Sequence, residues 1–182
     1  LIMGLALPIN ALQILFVNFF SDSFPAIALA FEKGIDGLGT RPRKLSRNLF
    51  DSEMRFLIVV IGISTSALLF ILYYVLLARG FAPEVVRTFI FTTFALYSLL
   101  LGFSVRSLEK SIFRYNPFSN LYLSAGVAFG TVLTLLVVYV PALQAIFDTV
   151  ALPPLWLAGV FVVGLLNIAA AEFGKWLFRK TG

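Results

Sequence analysis

Cysteine and histidine are both absent from the 182 residues. Without cysteine, no disulfide framework and no thiolate metal site can form, and the redox compartment stays undetermined. Without histidine, the commonest metal ligand and the commonest general base are gone. Charge is scarce, at 13% of residues. No internal repeat, low-complexity tract or basic-then-apolar signal peptide pattern is visible. What fills the chain is apolar: 60% of residues are hydrophobic, and the mean hydropathy is +0.97. Average soluble domains hold roughly 45–50% apolar residues. A membrane span needs about 20 mostly apolar residues to cross a core of about 30 Å. Five such stretches fall at roughly residues 10–31, 56–78, 85–105, 119–140 and 154–178, using most of the chain. The fold class is therefore all-α: a polytopic membrane bundle of five full spans. Residues 1–7, closed by Pro8, read as the stub of one further helix upstream. A chain that opens on Leu1 inside an apolar run is expected to be a piece of something longer.

Orientation follows from Lys and Arg. The side holding loops 32–55 and 106–116 and the C-terminus carries Lys33, Arg41, Arg43, Lys44, Arg47, Arg55, Arg106, Lys110, Arg114, Lys175, Arg179 and Lys180. The other side carries Arg79 and Arg87, so the division is 12 against 2. This predicts a cytoplasmic C-terminus, and makes the +5 net charge a topology signal rather than a nucleic-acid footprint. Trp156 and Trp176 stand 20 residues apart in the last span. At about 1.5 Å per residue they would sit about 30 Å apart, one at each interface.

Of nine carboxylates, eight fall in loops or near span ends, Glu172 among them. Only Asp22 falls near the middle of a span. A central aspartate costs about 2.5–3.5 kcal/mol on insertion scales, so its default reading is functional. Asn18 lies four residues earlier on the same helical face, with Ser21 beside Asp22, and Gln13 could extend the polar stripe. Pro25 removes a backbone hydrogen bond and frees a carbonyl about one turn upstream. Carboxylate, amide oxygen, hydroxyl and carbonyl are hard oxygen donors, suited to a desolvated cation. Interrupted helices with ligands at the midplane are a general transporter device. One carboxylate is too little for a complete divalent site, so partners on helices outside this chain are expected. The competing reading is a protonated aspartate that bonds across helices as packing glue.

The stretch from Asn18 to Glu32, containing Ser21-Asp22-Ser23-Phe24-Pro25-Ala26, resembles the sixth transmembrane helix of the cation-transporting P-type ATPases, in the calcium-pump and sodium-pump branches. Thr40-Arg41-Pro42-Arg43-Lys44 looks like the Arg-Pro-Pro-Arg element of that family's next loop. Phe103-Ser104-Val105-Arg106-Ser107 is similar to the Phe-Asn-Val-Arg-Ser ending of helix eight in bacterial members. The resemblance implies that the chain runs from helix six to helix ten. It further implies that Asn18, Ser21 and Asp22 are metal-cation ligands. Residues 1–55 would comprise the end of an upstream helix, the ion-site helix (about 10–31) and a cytoplasmic basic loop (32–55) near the phosphorylation domain. Residues 56–182 would be a four-helix support bundle. The partners implied are the lipid bilayer of a plasma membrane, a transported metal cation, and the N-terminal pump domains of the same polypeptide, which would use Mg-ATP. No nucleic acid is implied.

Two departures matter. The helix-eight glutamate of two-site calcium pumps falls near Ser98, which favours a single site or a different ion. The Asp-Lys-Thr-Gly phosphorylation motif is absent, so these residues contain neither catalytic nor cofactor-binding machinery for ATP. A self-standing channel or secondary transporter remains an alternative, though no pseudo-symmetry between halves is visible. A non-transporting scaffold is another. An intramembrane hydrolase is excluded, because neither a triad nor an aspartyl dyad can be assembled. Ser64, Thr65, Ser66, Thr92 and Thr93 read as hydrogen bonders between helices. Gly126 with Gly130, and Gly62 with Ser66, have the spacing of close helix crossings.

Overall fold

A computed structural model describes residues 7–31, 52–106, 112 and 116–181. Residues 1–6 of the upstream stub, the Thr40–Lys44 element and Ser107 lie outside the described residues. The first span is built from α1 (Ala11–Phe16), a π-helical segment (Val17–Asp22) and α2 (Ser23–Ala30). Four more spans follow the same apolar logic: α3 (Ser52–Ala78), α4 (Pro83–Val105), α5 (Leu121–Tyr139) and, after the short α6 (Pro141–Phe147), α7 (Pro154–Thr181). Five helical stretches are thus long and apolar enough to cross a membrane, and no strand occurs among the described residues.

The ends of these helices are written in local chemistry. Asn10 caps α1 in a reciprocal box: its Oδ1 accepts from the Gln13 amide at 2.8 Å, and Gln13 Oε1 accepts from the Asn10 amide at 3.0 Å. Gly80, at φ +80°, turns the chain into α4, whose first residue is Pro83, where a missing N–H costs nothing. Asn120 caps α5 by accepting from the Leu123 amide at 3.0 Å. Pro141 opens α6, and Asp148 closes it in the left-handed region at φ 54°.

Helix α4 is the axle. Within its span 72% of residues are buried, against 17–33% for the other four. It packs against α3, α5, α7 and the π-helical segment. One apolar cluster joins Phe89, Ile90, Leu96, Leu99 and Phe103 of α4 to Tyr73, Leu123 and Val160 from its neighbours. A second joins Phe16 and Val17 to Phe91, Ala95 and Val137. Small residues let the helices close up, but not uniformly. A methyl group on Gly130 would lie 2.5 Å from Leu99 Cδ2, and one on Gly126 would lie 3.5 Å from Phe24 Cβ. Gly62 meets nothing within 4 Å. With Ser66 it lines an open apolar groove of about 870 Å³ between α3 and α4 instead of a close crossing.

The connection after α5 binds the end of the bundle opposite the C-terminus. The Thr149 hydroxyl donates to Val137 O at 2.7 Å, and the Tyr139 hydroxyl donates to Leu152 O at 2.8 Å. Thr88 Oγ1 accepts from the Val150 amide at 3.0 Å, and Arg87 pairs with Asp148 at 2.9 Å. Asn10 Nδ2 and Gln13 Nε2 both donate to Phe147 O, at 3.0 and 2.9 Å.

Two expectations change here, and two more positions gain detail. Gln13 is fully buried and spends both ends of its amide on the cap and on Phe147, so it adds nothing to a polar stripe. Thr92 and Thr93 donate to carbonyls of their own helix, as does Ser64; Thr65, bonded to the Tyr97 hydroxyl at 3.1 Å, bridges two helices. At the two ends of the last span, Trp176 is exposed and Trp156 packs edge-on against Phe81 and Phe89. Glu172 and Lys175, near the end of the last span, are both buried within α7. Lys175 Nζ lies 2.7 Å from Glu172 Oε1 and also donates to Ser104 O. The Ser104 hydroxyl donates to Glu172 Oε1 at 2.6 Å, and the Ile112 amide to Oε2 at 3.2 Å. Four carbons of stem let Lys175 fold back one turn onto Glu172, since residues three apart share a helix face.

Candidate functional site

The interruption in the first span lies upstream of the proline that announced it. The six residues Val17–Asp22 are π-helical, and regular α-helix resumes at Ser23. A π-helical segment pairs residues five apart and recurs at functional sites. The same spacing extends to a side chain: the Ser23 hydroxyl donates to Asn18 O at 3.0 Å. Pro25 then falls in the first turn of α2, where its missing N–H is tolerated.

Asn18, Ser21 and Asp22 do not share one environment. Ser21 is fully buried, and its Oγ has no hydrogen-bond partner among the described residues. Leaving a buried hydroxyl unpaired costs about 1–3 kcal/mol. Asn18 and Asp22 are exposed on the side of the span that the described helices leave uncovered. Ser21 and Asp22 line one recess of about 190 Å³ with Pro25, Ser98 and Gly102. Asn18 does not line it. Ser98 shares that recess with Asp22. Among the described residues no group of three or more acidic side chains comes together.

The recess exists because α2 is pressed into the angle between α4 and α5. A methyl group on Gly102 would lie 2.8 Å from Pro25 Cβ, closer than side chains approach without movement. On the α5 side, Phe24 meets Gly126, its ring is edge-on to Phe129, and Asn120 Nδ2 donates to Ala28 O at 3.4 Å. The site is thus one carboxylate, one unpaired hydroxyl and one neighbouring hydroxyl, on a locally re-wound helix. All are hard oxygen donors of the kind that suit a cation.

The family profile described as Cation transporting ATPase, C-terminus matches residues 6–177. The chain belongs to the cation-transporting P-type ATPases, as their C-terminal transmembrane region. It is 36% identical over 159 residues to the calcium-transporting ATPase of Bacillus subtilis, covering 85% of this chain and 17% of that protein. To calcium-transporting ATPase 1 of Lactococcus lactis it is 32% identical over 185 residues, covering 99% of this chain and 21% of that protein. To calcium-transporting ATPase type 2C member 2 of Mus musculus it is 34% identical over 150 residues, 78% of this chain and 15% of that protein. The chain therefore spans about one fifth of the length of these relatives. This P-type ATPase region is a multi-pass integral membrane protein.

Sequence reasoning found Asp22 by its cost and Ser21 by adjacency. It marked Ser98 only as a missing carboxylate. The signal available for Ser98 was its spacing: four residues before Gly102 on the same helix, as Asp22 is three before Pro25.

Proposed function

We propose that this chain supplies part of the transport site of an ATP-driven cation pump, with Asn18, Ser21 and Asp22 as ligands to the transported ion. The observation that carries this is the Ser21 hydroxyl, fully buried and without a hydrogen-bond partner among the described residues, beside Asp22 in a recess at the end of a π-helical segment. Two features together support a ligand set over packing glue. A hydroxyl buried without a partner is stabilised by an ion that accepts it as a ligand. A carboxylate that faces the uncovered side of the span is available to helices beyond this chain.

Ser21 and Asp22 approach the ion from the recess, and Asn18 joins through the open face one turn away. The remaining ligands come from upstream helices of the same polypeptide, since one carboxylate does not satisfy a divalent cation. The relatives are named as calcium-transporting, which makes calcium the first ion to test. Helices α3 to α7 form the support bundle. Mg-ATP is used by the N-terminal pump domains, and the basic loop at 32–55 faces them from the cytoplasmic side. The excess of Lys and Arg on that side supports a cytoplasmic C-terminus.

In the full-length polypeptide, Asp22→Asn is expected to abolish cation-stimulated phosphorylation by ATP while leaving expression intact. Unchanged stimulation would overturn the assignment of Asp22 as a ligand.

A further inference from the structure

We infer that Ser98 on α4 is a positioning residue for Asp22, held in register by the Pro25–Gly102 crossing. The inference rests on the reading of Asp22 as a cation ligand and adds a residue that makes no contact with the ion itself.

The recess beside Asp22 has two walls. One is the first span, with Ser21, Asp22, Pro25, Ala26 and Leu29; the other is α4, with Ser98, Leu101, Gly102 and Val105. Each wall carries a polar group and a close-packing group at nearly the same separation. On α4 the hydroxyl of Ser98 and the bare backbone of Gly102 are four residues apart, one turn, on one face. On the first span Asp22 and Pro25 are three residues apart. When Pro25 seats on Gly102, Asp22 is carried to Ser98. The seat is tight: a methyl group on Gly102 would come within 2.8 Å of Pro25 Cβ and 3.4 Å of Leu123 Cδ1. Pro25 cannot evade such a group by rotating, because its ring is fused to the backbone.

A lone carboxylate on a locally re-wound helix has little to fix its rotamer. A hydroxyl donor on one oxygen fixes it and leaves the other oxygen for the ion. Ser98 also does this without adding charge. A carboxylate there would repel Asp22 when no ion is bound, whereas serine is neutral in both states. Asp22 is consequently orientated before the ion arrives, and less ordering is left to be done on binding.

The test uses the full-length protein in membranes, with calcium as the probe ion. It compares Ser98→Ala, Ser98→Thr and Asp22→Asn. Two quantities are read for each variant: the calcium concentration giving half-maximal phosphorylation from ATP, and the phosphorylation level at saturating calcium. Hydrogen bonds to charged groups are worth enough to give about a tenfold shift or more. Ser98→Ala is therefore expected to raise the half-maximal concentration about tenfold, with the saturating level kept within about twofold. Ser98→Thr, which retains the hydroxyl, is expected to stay within about threefold of the parent. If Ser98→Ala leaves the half-maximal concentration unchanged while Asp22→Asn abolishes stimulation, the positioning role is overturned and Asp22 stands as a ligand. Equal impairment by Ala and Thr would also overturn it, because the effect would then follow shape rather than the hydroxyl. Stimulation that survives Asp22→Asn would remove the underlying reading instead.

Discussion

The buried pair in α7 permits a prediction with a worked magnitude. Lys175 is 1% exposed and Glu172 9%, with 2.7 Å between Nζ and Oε1. At that separation the gross attraction is about 6 kcal/mol for an effective dielectric of about 20. Desolvation of both groups takes back much of it, so the pair is worth little against an apolar pair of the same shape. Removing one partner is different. Lys175→Met takes the ammonium away from a buried carboxylate that also accepts from the Ser104 hydroxyl and the Ile112 amide. Glu172→Gln leaves an ammonium facing an amide oxygen and Ser104 O. Each single change is expected to cost about 3–5 kcal/mol. The double variant Glu172→Gln/Lys175→Met is expected to cost at least about 2 kcal/mol less than the sum of the two singles, because it strands no charge. Thermal unfolding of the solubilised protein, followed by tryptophan fluorescence with Trp176 next to the pair, measures all three variants against the parent. Additivity within about 0.5 kcal/mol would refute the reasoning, since it would mean that the two charges do not depend on each other.

The helix crossings give the remaining predictions. Gly102→Ala is expected to cost about 1–3 kcal/mol, the usual penalty of overpacking, because its methyl meets Pro25. Gly130→Ala should cost less despite a closer 2.5 Å approach, because it meets the mobile end of Leu99; thermal melts of the two variants side by side check the order. Removing the Thr65–Tyr97 bridge with Tyr97→Phe is expected to cost about 0.6 kcal/mol, and no more than about 1.7, in the same assay.

Five spans, their order and their limits were legible in the sequence because each depends on a local sum: the transfer cost of about 20 consecutive residues. Asp22 was legible for the same reason, as the one carboxylate whose local cost is high at mid-span. Pro25 announced a broken helix, and the helix is re-wound, although the π-helical segment lies upstream of the proline. Whatever depended on a partner across helices was not legible. Gln13 looked like part of a polar stripe until Phe147, 134 residues away in sequence, took its amide. Lys175 was counted with the charges of the C-terminal side, and its enclosure by Glu172 and Ser104 was not visible there; the three-residue spacing of Glu172 and Lys175 inside the last span was the signal that hydropathy averaging hid. That the Trp156 ring packs edge-on against Phe81 and Phe89 was likewise not legible from its position.

The candidate site divides along the same line. Composition and spacing alone named Asn18, Ser21 and Asp22 as oxygen donors in an interrupted span. Only the tertiary structure separated a buried Ser21 from an exposed Asn18 and Asp22, and brought Ser98 into the recess beside the carboxylate. The physical reason is register. A helix fixes which of its own residues share a face, but the residue opposite that face depends on where two helices touch, and here that point is the contact of Pro25 with Gly102.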